Sequence, residues 1–181
     1  MKTIILLSLI LLLAISARLN GEVDAGQPVG GTPYDPYLGP MRQTYARLGG
    51  SSPSISDVRT HLRTAHRFRY YFDNAQPYTP QLPSVTESRQ QGDCKAKSLW
   101  LANKMGVRSA RYVIGKASSG SSMSHAWLLW PGGGGWIILD PTNSAEIIQA
   151  ERVAGRRMFA RYSYSGSRAY NHPTYSQHFK D

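Results

Sequence analysis

The sequence predicts an α+β domain in which helices pack on a small antiparallel sheet, and two observations predict it. Apolar residues recur at helical spacing from Ser54 to about Phe72 and again from Cys94 to Met105. Three short apolar runs, rich in β-branched and aromatic residues, then follow with Gly- and Ser-rich connections that are too short for crossover helices. Helices followed by a group of antiparallel strands are typical of the α+β class.

The chain begins with an apolar segment that is typical of an export signal. One Lys is followed by a largely apolar run from Ile4 to about Ala17, with small residues at its end. The run is shorter than the roughly 18 to 20 apolar residues of a membrane-spanning helix. We therefore interpret residues 1–21 as a signal peptide rather than an uncleaved anchor, and expect a secreted or periplasmic protein without a stable membrane span.

The remaining sequence of about 160 residues is enough for one domain. Residues 22–53 are rich in Gly and Pro and have no sustained period, so they predict a flexible or loosely packed arm with at most a short helix from Met41 to Leu48. Residues 54–165 form the predicted domain, and residues 166–181 a Tyr-rich tail. We expect a monomer.

Positive charge is the main compositional bias. The chain has 21 Lys and Arg against 11 Asp and Glu, a formal net charge of +10. This excess would suit an anionic partner such as a cell-wall polymer, a lipid headgroup or a nucleic acid. The cations are scattered, without a block of five like charges, so solubility is the preferred explanation. No nucleic-acid-binding motif is recognisable, and we expect no such partner.

The first predicted helix extends from Ser54 to about Phe72. Ser54 and Asp57 form a capping box in which Asp takes the usual place of Glu or Gln. The apolar positions that share one face of this helix are Val58, Leu62, Ala65, Phe68 and Phe72. The stretch from Asp73 to Gly92 contains three prolines and is expected to be an irregular connection.

The second predicted helix begins at the only cysteine in the chain. Asp93 is a good N-cap, and Gly106 fits the position just past the end. Three strands are predicted after it, "SARYVIG" from Ser109, "SHAWLLW" from Ser124 and "GWIILD" ending at Asp140. A loop and a short helix are expected to follow Asp140.

Cys94, His125 and Asp140 have the residue types and placement of a nucleophilic triad. The first turn of a helix stabilises a thiolate, although the adjacent Asp93 opposes it, so a histidine base is needed as well. His125 opens a strand and Asp140 ends the next one, so a tight hairpin brings them to the same end. Asp140 would then orient the imidazole for proton exchange with Cys94.

Each of these residues also has a simpler interpretation. A single cysteine is more often a buried small apolar residue, and a lone histidine at a strand end is commonly structural. Asp140 precedes Pro141 and suits the start of a turn. The catalytic hypothesis therefore rests on the combination.

The segments "GDCKAKSLWLANKMGVRSARYVIG", "SHAWLLW" and "GWIILDPTNS" resemble the core of the transglutaminase-like superfamily, the papain-related group of cysteine enzymes. In that family Gly-x-Cys opens the core helix, Gly closes it, and His-Ala-Trp and Asp-Pro-Thr begin and end two later strands. The match covers about residues 89–144. The resemblance implies a papain-like core, with Cys94 as nucleophile, His125 as base and Asp140 as orienting acid.

The resemblance implies a secreted enzyme that acts on amide bonds of a protein or peptide substrate, with a cell-wall peptide as one candidate. Water as second nucleophile gives a peptidase or amidase, which we prefer, and a lysine amine gives crosslinking. The alternative is a non-catalytic binding domain that keeps the fold and holds wall polymer or a protein.

The sequence does not define the second oxyanion donor or the residues that line the substrate cleft. The backbone N–H of Cys94 is expected to supply one oxyanion donor, and the candidates for the other are Gln81, Gln90 and Gln91. The tryptophans that could line a cleft or pack in the core are Trp127, Trp130 and Trp136. No cofactor or metal site is expected, since none of the histidines outside the triad lies in a ligand constellation, namely His61, His66, His172 and His178.

Overall fold

The computed structural model describes residues 23–50 and 52–179, so the predicted signal peptide lies outside the described residues. The helices are α1 (Gly39–Arg47), α2 (Ile55–Arg67), α3 (Pro83–Arg89) and α4 (Cys94–Met105). Seven strands form the main sheet, β1 (Gln27–Val29), β4 (Arg111–Lys116), β5 (His125–Gly132), β6 (Gly135–Leu139), β7 (Ile148–Gln149), β8 (Phe159–Ser165) and β9 (Arg168–Asn171). A separate parallel pair consists of β2 (Arg69–Tyr70) and β3 (Gln91–Gly92).

The main sheet has the order β1-β9-β8-β4-β5-β6-β7, and every neighbouring pair is antiparallel. The three strands that the sequence predicts, β4, β5 and β6, lie next to one another in it. The α+β class and the antiparallel arrangement are therefore confirmed.

Side chains alternate across the sheet, and both faces are buried. Along β5, Ala126, Leu128 and Trp130 pack in the cluster that contains the helices. Trp127 and Leu129 point to the opposite face, in a second cluster that includes Tyr175 of a short 3₁₀ helix at Pro173–His178. The strands read as continuous apolar runs because neither face of the sheet is left to solvent.

α2 begins as predicted but ends earlier. The Ser54 hydroxyl accepts a hydrogen bond from the backbone N–H of Asp57 and donates one to its carboxylate, 2.7 Å away. The predicted end at Phe72 is wrong, because the chain turns to an extended conformation at Phe68 and β2 follows at once. From this extended position the Phe68 ring still packs against Trp100 of α4, and Phe68 is buried.

The stretch from Asp73 to Gly92 is not wholly irregular, since α3 lies within it. Pro83 occupies the first turn of α3, where its missing N–H has no intrahelical acceptor to lose. The helix ends at Gln90, which adopts a left-handed conformation with φ of 49°. Pro83 therefore begins a helix, although the prolines of this stretch were expected to exclude regular structure.

Residues 23–50 are packed as part of the domain, contrary to the expected loose arm, and α1 lies where a short helix was allowed. Met41 and Tyr45 of α1 are fully buried, and β1 pairs with β9. β9 lies beyond the predicted boundary at residue 165, so that boundary cuts the β8–β9 hairpin. Between Asp140 and β8, the expected short helix is a 3₁₀ turn at Ala150–Arg152, and β7 and β8 were not predicted.

Of the described residues, none belongs to a helix with the length and apolar character needed to cross a membrane.

Candidate active site

The first turn of α4 holds Cys94 at the edge of a cleft. The Asp93 carboxylate caps the helix by accepting a hydrogen bond from the N–H of Ala96 at 3.0 Å, as the sequence predicts. The same carboxylate forms an ion pair with the ammonium group of Lys95, and both side chains are largely buried. Cys94 is 8% exposed and has no disulfide partner. The negative charge beside the thiol is therefore balanced by a neighbouring cation.

β5 carries His125 to the same cleft. His125 is the first residue of β5 and pairs with Gly115 of β4. A side chain at Gly115 would collide with the Phe159 carbonyl and the Trp127 ring, since an added Cβ would lie 2.1 and 2.7 Å from them. The glycine thus allows β8 and Trp127 to approach the strand end where His125 lies.

The β5–β6 hairpin places Asp140 against His125. Leu128 pairs with Leu139, and Gly133 and Gly134 have positive φ in the tight turn. As a result, the His125 Nε2–H group donates to Oδ2 of Asp140 at a distance of 2.9 Å. This is the lateral approach that the sequence predicts from the shared end of the two strands.

The protonation of this pair is shifted by mutual contact. Burial alone would lower the pKa of His125, but hydrogen bonds with Asp140 and Cys94 outweigh burial and raise it to about 10. Burial opposes ionisation of Asp140, yet the contact with His125 holds the pKa of that carboxyl below its ordinary value. Because Nε2 of His125 faces Asp140, Nδ1 is the ring nitrogen left for the thiol.

Asn143 is a residue of this site that the sequence reasoning missed. Its Nδ2 donates to Oδ2 of Asp140 at 2.9 Å and lies 3.1 Å from Nε2 of His125. Oδ1 of Asp140 also accepts from the backbone N–H groups of Thr142 and Asn143, at 3.1 and 3.3 Å. The signal in the sequence is an Asp followed three positions later by Asn, which is typical of a side-chain-stabilised turn.

The cleft at Cys94 and His125 has a volume of about 310 Å³ and mostly apolar walls. Three of the exposed large apolar side chains of the described chain lie here, namely Tyr70, Tyr78 and Met123. The charged side chain among the lining residues, Lys95, is engaged by Asp93 and lies over the Phe72 ring at 5.0 Å. Such a concave, apolar surface beside polar groups is typical of a ligand site.

None of the three glutamines proposed as oxyanion donors lines this cleft. Gln90 donates to the carbonyl of Glu87 at 2.7 Å, and Gln91 accepts from Arg69. Gln81 keeps a buried Oε1 without a hydrogen-bond partner among the described residues. Since Gln90 and Gln91 use their side chains elsewhere, the expectation for them is wrong.

None of the tryptophans is a lining residue of the cleft, but the Trp127 ring stacks on the His125 imidazole with ring centroids 5.9 Å apart. Trp127 and Trp130 are buried on opposite faces of the sheet, and the half-buried Trp136 lies under the guanidinium of Arg111 at 5.1 Å. Trp127 and Trp130 therefore pack in the protein interior, the second of the two interpretations that the sequence allowed, whereas Trp136 is only partly covered.

Two of the other histidines, His172 and His178, have structural surroundings. Nε2 of the buried His172 lies 2.9 Å from the Ser163 hydroxyl, and Nδ1 lies 3.1 Å from the carbonyl of Asp24. His178 stacks on Phe159 with ring centroids 3.7 Å apart. In residues 23–50 and 52–179, no group of three or more His, Cys, Asp or Glu side chains could hold a metal ion.

Comparison with known proteins shows likeness in fold. LapG from Legionella pneumophila superposes with a TM-score of 0.53 and 15% identity, over 78% of this chain and 81% of LapG. EGTA-treated LapG gives 0.56 and 16%, over 80% of each chain, and calcium-bound LapG gives 0.55 and 18%, over 78% and 85%. The sequence matches no protein-family model and no curated protein. With this likeness and the architecture above, the fold of the chain is transglutaminase-like.

Proposed function

We propose that the protein is a secreted thiol enzyme that hydrolyses amide bonds of a protein or peptide, with Cys94, His125 and Asp140 as catalytic residues. The observation that carries the proposal is that Cys94 and His125, 31 positions apart in sequence, line one cleft, and that Asp140 is hydrogen-bonded to His125 behind it. The fold-level likeness to LapG is compatible with a peptidase-like enzyme. Secretion rests on the apolar segment at residues 1–21.

The proposed reaction begins with proton transfer from the Cys94 thiol to His125. The raised pKa of His125 favours the protonated imidazole at neutral pH, which attracts the thiolate. The sulfur attacks the amide carbonyl, and the carbon–nitrogen bond breaks as His125 gives its proton to the leaving amine. The resulting thioester is then cleaved by water, from which neutral His125 takes a proton, and the acid product and free thiol are released.

Asp140 has the proposed role of orienting His125. It accepts the Nε2 hydrogen bond and stays ionised because its pKa is held low. Asn143 supports this contact from the following turn through its bond to the same carboxylate oxygen. The imidazole is thereby held in one tautomer with Nδ1 free for proton exchange.

Hydrolysis is the proposed outcome of the second step. Tyr78 and Met123 on the cleft wall are 54% and 64% exposed, so the cleft beside Cys94 is open to solvent. Acyl transfer to an amine would require exclusion of that water. The apolar walls favour a substrate with apolar side chains near the scissile bond, which is compatible with a hydrophobic peptide segment.

Alkylation of Cys94 tests the proposal. Purified protein is treated with iodoacetamide at pH 6, and the labelled site and rate are followed by mass spectrometry. Labelling of Cys94 should be rapid and should slow by about a hundredfold in His125→Ala. His61→Ala, a histidine on α2 outside the cleft, serves as the matched control and should label at the wild-type rate.

Equal labelling rates in His125→Ala and the wild type, at the speed of an ordinary thiol, would contradict the catalytic proposal. In that case the apolar cleft would support a non-catalytic binding domain of the same fold. For a reactive Cys94, a panel of peptides with and without amine donors distinguishes hydrolysis from transfer by the mass of the products.

A further inference from the structure

A second cleft, of about 590 Å³, lies on a different part of the molecule. α1, the segment after α4 and the β8–β9 hairpin enclose it. The lining side chains that matter for its chemistry are Arg42, Tyr45, Arg108, Ser167, Arg168 and Tyr170. Its arginines are distant from one another in sequence, so the fold alone collects them into one basic cleft.

The basic cleft and the cysteine cleft lie at opposite ends of β4. Gly115, near the end of β4, pairs with His125 of the cysteine cleft. Tyr112, near its beginning, pairs with Tyr164, which adjoins Ser165 in the hairpin of the basic cleft. At about 3.3 Å per residue, the strand keeps the two clefts roughly 10 Å apart or more. The basic cleft is therefore a separate site.

The three arginines of this cleft are held in different ways. Arg108 donates from its guanidinium to the carbonyls of Leu48 and Ala46, which fixes its position without neutralising its charge. Arg168 pairs with Ser165 through the backbone of the hairpin, and its exposed side chain has no hydrogen bond, ion pair or ring contact within the described part of the chain. The cleft thus combines one anchored cation with one that is free to close on a ligand.

Arg42 is the partly neutralised member of the group. Its guanidinium lies 3.1 Å from the Asp35 carboxylate, and both side chains are substantially exposed. No Asp or Glu side chain is among the residues that line the cleft. Three guanidinium charges less one carboxylate leave two positive charges, which matches a dianionic group.

The wall behind the cleft adds to its positive potential. Arg111 stacks on the Tyr170 ring, with its guanidinium carbon 3.9 Å from the ring centroid. Burial lowers the pKa of this arginine, and the interaction with Tyr170 opposes that shift. Concave surfaces lined by one sign of charge focus the field and concentrate counter-ions.

We propose that the basic cleft binds a phosphate or sulfate group of a ligand. Guanidinium groups offer paired N–H donors that match tetrahedral oxyanions, and Arg42 and Arg168 approach from two sides. The Ser167 hydroxyl on the hairpin is a further donor at the exposed rim. This site is independent of the chemistry proposed for Cys94.

Calorimetric titration of the purified protein with sodium phosphate, sodium sulfate and sodium acetate tests the proposal, at an ionic strength held constant with sodium chloride. Phosphate and sulfate should bind more tightly than acetate. Arg168→Gln and Arg42→Gln should each weaken phosphate binding by about tenfold, the effect of losing one charged hydrogen bond. Arg59→Gln, an exposed arginine on α2, should bind like the wild type.

Phosphate binding that is no tighter than acetate binding, or that survives unchanged in Arg168→Gln and Arg42→Gln, would overturn the proposal. Both variants should retain wild-type alkylation of Cys94, which shows that they are folded. A second arm uses vesicles of phosphatidic acid, whose phosphomonoester can carry two negative charges, and vesicles of phosphatidylcholine in a sedimentation assay. Sedimentation that depends on Arg168 assigns the group to a lipid, and phosphate binding without sedimentation assigns it to a soluble ligand.

Discussion

At the scale of single residues, Lys95 resolves a conflict at the start of α4. Asp93 is needed as a helix cap, but its negative charge lies next to the sulfur that must become a thiolate. The ammonium of Lys95 pairs with the carboxylate oxygen that the cap does not use. The helix therefore keeps its cap while the thiol experiences less repulsion.

Replacement of Lys95 by Met should slow iodoacetamide labelling of Cys94 at neutral pH by about three- to tenfold, because the Asp93 charge is then uncompensated. Lys104→Met is the matched control. Lys104 lies at the other end of α4 and forms an ion pair with Glu87 of α3. Mass spectrometry of timed samples gives both rates. Equal rates in the two variants would show that Lys95 has no electrostatic influence on the thiol.

The His125–Asp140 pair makes stability depend on pH. The pKa of His125 is raised from 6.5 to about 10, so its contribution is complete below about pH 6.5 and is lost as pH rises through 10. The lowered pKa of Asp140 gives a contribution that is present above about pH 4 and is lost as pH falls. The pair thus stabilises the fold mainly between these limits.

We therefore expect the difference in Tm between wild type and His125→Gln to be largest from about pH 4 to 6.5 and to decline steadily from pH 6.5 to 10. Differential scanning calorimetry across this range measures it. His61→Gln, in which the imidazole on α2 is replaced, should show no comparable trend. A difference that is constant from pH 5 to 10 would contradict the assigned coupling.

At the scale of elements, the junction of β4 with β8 depends on one glycine. The register between the two strands shifts between Ile114 and Gly115. An added Cβ at Gly115 would meet the backbone of Phe159, which cannot move aside as a flexible side chain could. The close approach fixes the strand end where His125 begins β5.

Gly115→Ala should lower the free energy of unfolding by about 3 kcal/mol, because it overpacks a buried backbone contact. Gly120→Ala is the control, since a Cβ there would have no neighbour within 4 Å. Urea unfolding followed by tryptophan fluorescence measures both. A Gly115→Ala protein as stable as the control would show that β8 can shift without cost.

Elements with strong local signals could be predicted from the sequence, and elements defined by distant partners could not. α4 has a capping Asp and a terminal Gly, and β4 to β6 are separated by short turns. β1 is only three residues long and depends on β9 for its hydrogen bonds. α3 has Pro in its first turn, where proline was expected to exclude a helix, whereas α1 lies where a short helix was allowed at Met41 to Leu48.

The same distinction applies to the candidate site. His125 and Asp140 could be brought together from the hairpin alone, because strand pairing fixes their separation. Lys95 and Asn143 could not be given roles, since these depend on side-chain directions that spacing does not define. Gln90 and Gln91 failed as oxyanion candidates for the same reason, since their side chains bond elsewhere.

At the scale of the whole molecule, the segment before α2 is part of the core. Met41 of α1 is fully buried against the cluster that also contains residues of α2 and α4. The Thr32 hydroxyl lies 2.7 Å from the Tyr164 hydroxyl of β8, which joins the same segment to the sheet. The domain therefore includes residues on both sides of the predicted boundary at residue 53.

Met41→Ala should reduce the free energy of unfolding by about 2 to 5 kcal/mol, as expected for a buried side chain that leaves a cavity. Gln43→Ala, an exposed position on α1, should change it by less than about 0.5 kcal/mol. Both are measured by urea denaturation. A small effect of Met41→Ala would indicate that α1 detaches without affecting the remaining domain.

Charge is also organised at this scale. The cations look scattered along the sequence, yet Arg42, Arg108 and Arg168 meet in one cleft. Spacing in the sequence shows only blocks of charge, whereas the fold brings together single residues from α1 and the β8–β9 hairpin. The basic composition thus supplies a local site in addition to general solubility.

The pairing of β1 with β9 determines when the sheet can be completed. Gln27 is opposite Asn171, so residues 144 positions apart must meet before this edge forms. Such distant contacts close slowly, because the entropy of a long loop is lost before any hydrogen bond compensates for it. During synthesis β1 leaves the ribosome early and has no strand to pair with until β9 has been made. We therefore expect the sheet of the nascent chain to remain incomplete until residue 171 has left the ribosome.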